Sequence, residues 1–192
     1  MLNLTKDQPD TLTGVTVLQI GVAWKTSGGG QKGLMGRFRR AIGTDLDLVA
    51  VALEDGRPKR LCWFDNEDAF DNGSLITLGD NRTGKASGDD ETIIARLADL
   101  PASITTLVFI VSAFKEGVSF ANIEGITLSV YDGAPGGRKL GEYMPDIDSR
   151  NNACVMLRAQ RTGPNWEIAV VNELDNASSR DQLLQLAKRY AA

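Results

Sequence analysis

Residues 79–91, GDNRTGKASGDDE, place Asp80, Asp89, Asp90 and Glu91 in one short stretch, and Asn81 adds a side-chain carbonyl. Glycines at 79, 84 and 88 permit sharp backbone turns, so peptide carbonyls can point toward the same centre. Hard oxygen donors without thiolate or imidazole specify Ca²⁺ or Mg²⁺, and a pliant loop rich in oxygens favours Ca²⁺. The EF-hand pattern fails here. Asp80 and Glu91 stand at its positions 1 and 12, but Arg82 and Gly84 fill positions 3 and 5, and Lys85 replaces the required glycine.

Two further groups of oxygens accompany this loop. Asp45 and Asp47 lead the apolar stretch LDLVAVAL. Strand alternation places Asp45, Asp47, Val49, Val51 and Leu53 on one face and Leu46, Leu48, Ala50 and Ala52 on the other. Both faces are apolar beyond Asp47, which predicts a buried strand with two carboxylates on a core-facing side. Desolvating them is costly unless a cation or close donors compensate. The third group, Asp65-Asn66-Glu67-Asp68, follows the strand-like LCWF. Asp68 and Asp71 are expected on an exposed turn.

Other chemistries are poorly supported. The chain has no histidine, which removes His-based triads, His general bases and imidazole metal sites. Cys62 and Cys154 are too few for a disulfide scaffold and read as small buried apolar residues in a reducing compartment. Gly28-Gly29-Gly30-Gln31-Lys32-Gly33 matches a dinucleotide fingerprint in letters only. Its acids, Asp45 and Asp47, open the second strand where the fingerprint needs one at the strand's end. Residues 79–86 resemble a phosphate loop, yet Ala86 replaces the Mg²⁺-binding hydroxyl and no amphipathic helix follows.

The elements that must position these acids are mostly strands. Residues 15–24, 46–53, 61–64, 105–114, 126–132, 153–161 and 166–174 are short, rich in β-branched and apolar residues, and bounded by Gly, Asp, Asn or Pro. GDDETIIARL reads as an acidic turn entering another strand. At the end, Ser179 can cap a helix with Gln182 reciprocating, and Leu183, Leu186, Ala187 and Tyr190 share one face. This predicts a short C-terminal helix, about 179–190, on the sheet edge. The fold expected is an all-β, two-sheet antiparallel β-sandwich, as one domain over the 192 residues. Loops cluster at the ends of a sandwich, so the three acidic groups can meet.

Charge is uneven along the chain. Lys25, Lys32, Arg37, Arg39 and Arg40 form a basic Gly-rich loop, residues 25–43, that contains no acid. Residues 45–99 carry thirteen acids against six bases. A net charge of −4 argues against generic nucleic-acid binding. The basic loop, with Leu34, Met35 and Phe38 interspersed, suits an acidic partner or peripheral association with an anionic membrane. The N-terminal MLNLTKDQPDTLTG has no basic leader followed by an apolar stretch, which points to the cytoplasm.

These motifs together resemble the tellurium-resistance TerD family. Its D-L-D strand corresponds to Asp45-Leu46-Asp47, its GDNxTGxGxGDDE loop to residues 79–91, and its F-x-N element to Phe64-Asp65-Asn66. The resemblance spans about residues 12–175 and implies a calcium-binding β-sandwich of bacterial stress responses that works in assemblies with other proteins. It carries over Asp45, Asp47, Asn66, Asp80, Asn81, Asp89, Asp90 and Glu91 as calcium-site candidates, with room for two ions. Val49 and Ala86 depart from the family pattern, and the basic loop is longer than in short members. No enzymatic activity is expected. The alternative, a carboxylate-based hydrolase of a sugar-like substrate, has the acids but too few aromatics to line a sugar cleft.

Overall fold

The computed structural model describes residues 1–26, 45–79, 88–114, 117–134 and 137–191. The basic segment 27–44 and loop residues 80–87, with the dinucleotide-like and phosphate-loop-like stretches they carry, lie outside the described residues. The strands are β1 (Asp10–Thr11), β2 (Val17–Thr26), β3 (Asp47–Glu54), β4 (Arg57–Cys62), β5 (Leu75–Thr77) and β6 (Glu91–Arg96). They continue with β7 (Ile104–Ser112), β8 (Ile123–Asp132), β9 (Lys139–Tyr143), β10 (Ala153–Thr162) and β11 (Asn165–Asp175). A helix, α1 (Arg180–Lys188), closes the chain.

These strands form the expected pair of antiparallel sheets. Sheet A has the order β1-β11-β10-β7-β3-β4, and sheet B the order β5-β6-β2-β8-β9. Three strands escape a reading by pattern: β1 has two residues, β5 has three, and β9 is interrupted by Gly141. Each is too short for an alternation to show. Trp63 and Phe64, expected to end the LCWF strand, instead lie just past β4. The β3–β4 hairpin turns on Asp55-Gly56, both at positive φ (46° and 75°), as a two-residue turn matched to strand twist requires.

Two cores flank sheet A. Between the sheets, Leu18, Ile20 and Val22 of β2 meet Leu48, Ala50 and Ala52 of β3, with Phe109 and Val111 of β7 alongside. On the opposite face of sheet A, Val49, Val51 and Leu53 pack with Val108, Ile110, Leu183, Leu186 and Ala187. β3 and β7 are therefore buried on both faces, which is why their sequences are apolar without alternation. The helix packs on the edge strand β4, as expected, and extends over this outer face to β3 and β7. Ser179 caps it, its hydroxyl accepting from the Gln182 amide at 3.3 Å. The Gln182 side chain reaches one residue further than a capping box requires, accepting from the Ser178 amide at 2.8 Å.

Candidate metal centre

Strand register fixes which acids share an end of the sandwich. In sheet A, Asp47 opens β3 opposite Ser112 at the end of β7, and Ser112 stands opposite Ala153 at the start of β10. In sheet B, Glu91 opens β6 opposite Val22, just past the middle of β2, which runs on to Thr26 beyond it. The β2–β3 and β7–β8 connections join these ends across the sheets. Asp45, Asp47, Asn66, Asp89, Asp90 and Glu91 thus come to one end, while Asp80 and Asn81 lie outside the described residues.

Within that end the carboxylates face different ways. Asp47 continues the face of Val49 and Val51, the side covered by α1. Asp45, expected on the same core-facing side, precedes β3 and is exposed. Asp47 is half-buried, and burial first, then the Asp45 charge, push its carboxyl up to about 6. Both influences oppose ionisation. Next to it, the Ser112 hydroxyl donates to the Ala177 carbonyl at 2.8 Å, tying the strand end to the lead-in of the helix.

Asp89 is buried on the far side of sheet B. Its Oδ2 accepts from the Tyr131 hydroxyl at 2.9 Å. The carboxylate lies over Gly21, where an added β-carbon would come within 2.1 Å of Oδ2. Asp90 is fixed on the same strand: its amide donates to the Val22 carbonyl at 2.7 Å, and its Oδ2 accepts from the Trp24 amide at 3.0 Å. Glu91 is half-buried at the start of β6.

Asn66 closes a turn. It exchanges backbone hydrogen bonds with Trp63 at 3.0 and 3.2 Å, and its Nδ2 donates to the Leu61 carbonyl at 2.6 Å. Asp68 is not on an exposed turn as expected. It is half-buried, and its carboxylate accepts from the Phe70 amide at 3.2 Å and the Gly73 amide at 2.8 Å. Asp71 is exposed. Both cysteines are buried free thiols pushed up to about 12 by desolvation.

Sequence reasoning missed three features. Tyr131 was not singled out, nor Gly21, although a glycine inside VLQIGVAW marks a close approach. The third is an aromatic cluster beside the turn: the Trp63 ring lies 4.6 Å from Phe64 and 4.9 Å from Phe114, with Phe64 half exposed. An open groove of about 600 Å³ also flanks Asp90, lined by Trp24, Lys25, Glu124, Met144 and Asp146.

Among the described residues no three Cys, Asp or Glu side chains gather closely enough to hold an ion. The donor chemistry of Asp45 and Asp47 fits a hard cation, because a nearby divalent charge favours the ionised carboxylate and so offsets the burial and the Asp45 charge that raise the Asp47 pKa.

The TerD domain model matches residues 1–190. The chain belongs to the TerD family. It is 28% identical to tellurium resistance protein TerZ of Serratia marcescens over 189 residues, covering 95% of each chain. It is also 28% identical to stress response protein SCP2 of Bacillus subtilis (strain 168) over 200 residues, covering 95% of this chain and 97% of the relative. A crystal structure of a telluride resistance protein (TerD) homologue from Streptomyces coelicolor A3(2) superposes with a TM-score of 0.62 at 18% identity, covering 88% of this chain and 98% of that one. That likeness shows the TerD fold alone. No helix among the described residues is long and apolar enough to cross a membrane.

Proposed function

We propose that this TerD-family chain is a calcium-binding module of the tellurite-resistance and stress-response type, a binding or scaffold protein and not an enzyme. Asp45 and Asp47, with oxygens of residues 79–91, hold the cation, which stiffens one end of the sandwich. The observation that carries this reading is Asp47: a half-buried carboxylate whose two influences, burial and Asp45, both oppose its charge. A bound cation would offset both influences. Tellurite is an oxyanion and would be repelled by the same carboxylates, so the site serves resistance through the cation and not by capturing tellurite.

The partners fitting this reading are other proteins of a stress-response assembly, not nucleic acid, with the cytoplasm as compartment. The basic segment 25–43 adds peripheral attraction to anionic membranes. Calorimetric titration of chelator-stripped protein with Ca²⁺ and with Mg²⁺ tests the core of the proposal. Saturable calcium binding, tighter than magnesium and weakened by Asp47→Asn, is expected. No calcium binding up to millimolar concentration overturns it.

A further inference from the structure

Asp89 belongs to the acidic loop in sequence but not to the Asp45/Asp47 pair in space. Leu18, Ile20 and Val22 point into the inter-sheet core, so Gly21 faces the outer side of sheet B. Val130 also points inward, which places Tyr131 on that same outer side. Asp89 sits on Gly21 and accepts the Tyr131 hydroxyl there. Asp47 faces the outer side of sheet A, toward α1. Packed sheets stand about 10 Å apart, whereas two carboxylates sharing one calcium lie within about 5 Å of each other. One ion cannot bridge Asp89 and Asp47.

We infer that Asp89 anchors the loop to sheet B and shares no ion with Asp47, with Tyr131 and Gly21 as the positioning residues that seat it. Gly21 leaves the space, Tyr131 supplies the donor, and Asp90 adds two hydrogen bonds to the backbone of β2. The root of the loop is thereby held before any cation arrives. Pre-organisation of this kind raises affinity by removing an ordering cost from the binding step. The inference rests on the calcium reading for one of its two readouts.

Three variants of the full chain test it: Asp89→Asn, Tyr131→Phe and Gly21→Ala. The first readout is calcium affinity by calorimetry. The second is the rate of tryptic cleavage after Arg82 and Lys85 in chelator, which needs no ion. An asparagine at 89 still offers Tyr131 an acceptor oxygen, so Asp89→Asn leaves affinity within about threefold and cleavage unchanged. Tyr131→Phe and Gly21→Ala unseat the anchor, speeding cleavage about tenfold and weakening calcium by a similar factor. A loss of affinity in Asp89→Asn as large as in Asp47→Asn makes Asp89 a ligand of the same ion and overturns the inference. So does unchanged cleavage in Tyr131→Phe. Wild-type protein that binds no calcium would sink the calcium reading, while the cleavage rates still decide the anchor.

Discussion

Asp47 is ionised at neutral pH at a cost set by its surroundings. Its folded carboxyl titrates near 6 against an ordinary 3.8. Between those values the folded chain binds more protons than the unfolded one, so this group withdraws stability as pH rises from about 4 to about 6. Asp47→Asn removes the charge and keeps the shape. In chelator at pH 7 it should stabilise the chain by about 1 kcal/mol, once solvent screening of a half-buried group is allowed for. That corresponds to a rise of about 2–4 °C in melting temperature. The advantage should vanish below pH 4, and with calcium present the sign should reverse. Thermal melts across pH, with and without calcium, check it, and Asp71→Asn should do neither because Asp71 is exposed. Equal destabilisation of Asp47→Asn in both metal states would make Asp47 a structural acceptor instead. At this scale the sequence assigned Asp47 its face through alternation, but Asp45, expected on the same core-facing side, precedes β3 and is exposed. The sequence hid the Asp89–Tyr131 contact, which joins residues 42 apart and exists only once β2 pairs with both β6 and β8.

The helix shows how an element is held by its ends and its face together. Ser179 satisfies one amide of the first turn, and Leu183 is fully buried against sheet A. Ser179→Ala should cost about 1 kcal/mol, while Leu183→Ala should cost about 2–5 kcal/mol by leaving a cavity under the helix. Denaturant melts of both variants give the two values, and near-equal losses would contradict the burial of Leu183. The helix was legible in its cap and its apolar spacing. Its place on the edge strand β4 was expected but its reach over β3 and β7 was not, although β3 carried the clue: Val49, Val51 and Leu53 need a cover that the partner sheet cannot provide, since it packs on Leu48, Ala50 and Ala52. The long strands were legible from composition. β1, β5 and β9 take their form from the neighbours they pair with, which no local pattern records.

For the whole molecule, a cation bound only by the folded chain adds stability by mass action. At about 100 times its dissociation constant, calcium should contribute roughly 2.7 kcal/mol, or about 5–10 °C in melting temperature. A chelated sample that melts with the calcium-saturated one would remove the metal from the account. The basic segment makes a separate demand: binding to anionic vesicles should weaken when Arg37, Arg39 and Arg40 are neutralised, by about 1 kcal/mol per residue. Co-sedimentation unaffected by these changes would exclude the membrane. The order of the strands also governs how copies of the chain behave toward one another. Among the described residues, sheet A ends on β1 and β4, and sheet B on β5 and β9. β1 and β5 are too short to template a neighbour, and on β9 the Leu140 carbonyl already accepts from the Leu2 amide. The longer exposed border, β4, carries Pro58, which has no N–H to offer, between Arg57 and the cations Lys59 and Arg60. Lys59 is paired with Glu54 at 2.8 Å. Two such borders still set Arg57 and Arg60 against like charges and lack a donor at Pro58, so crowded solutions of the protein should stay free of edge-to-edge fibres. Pro58→Val with Lys59→Thr should abolish that colloidal protection, and light scattering at rising concentration would register the loss.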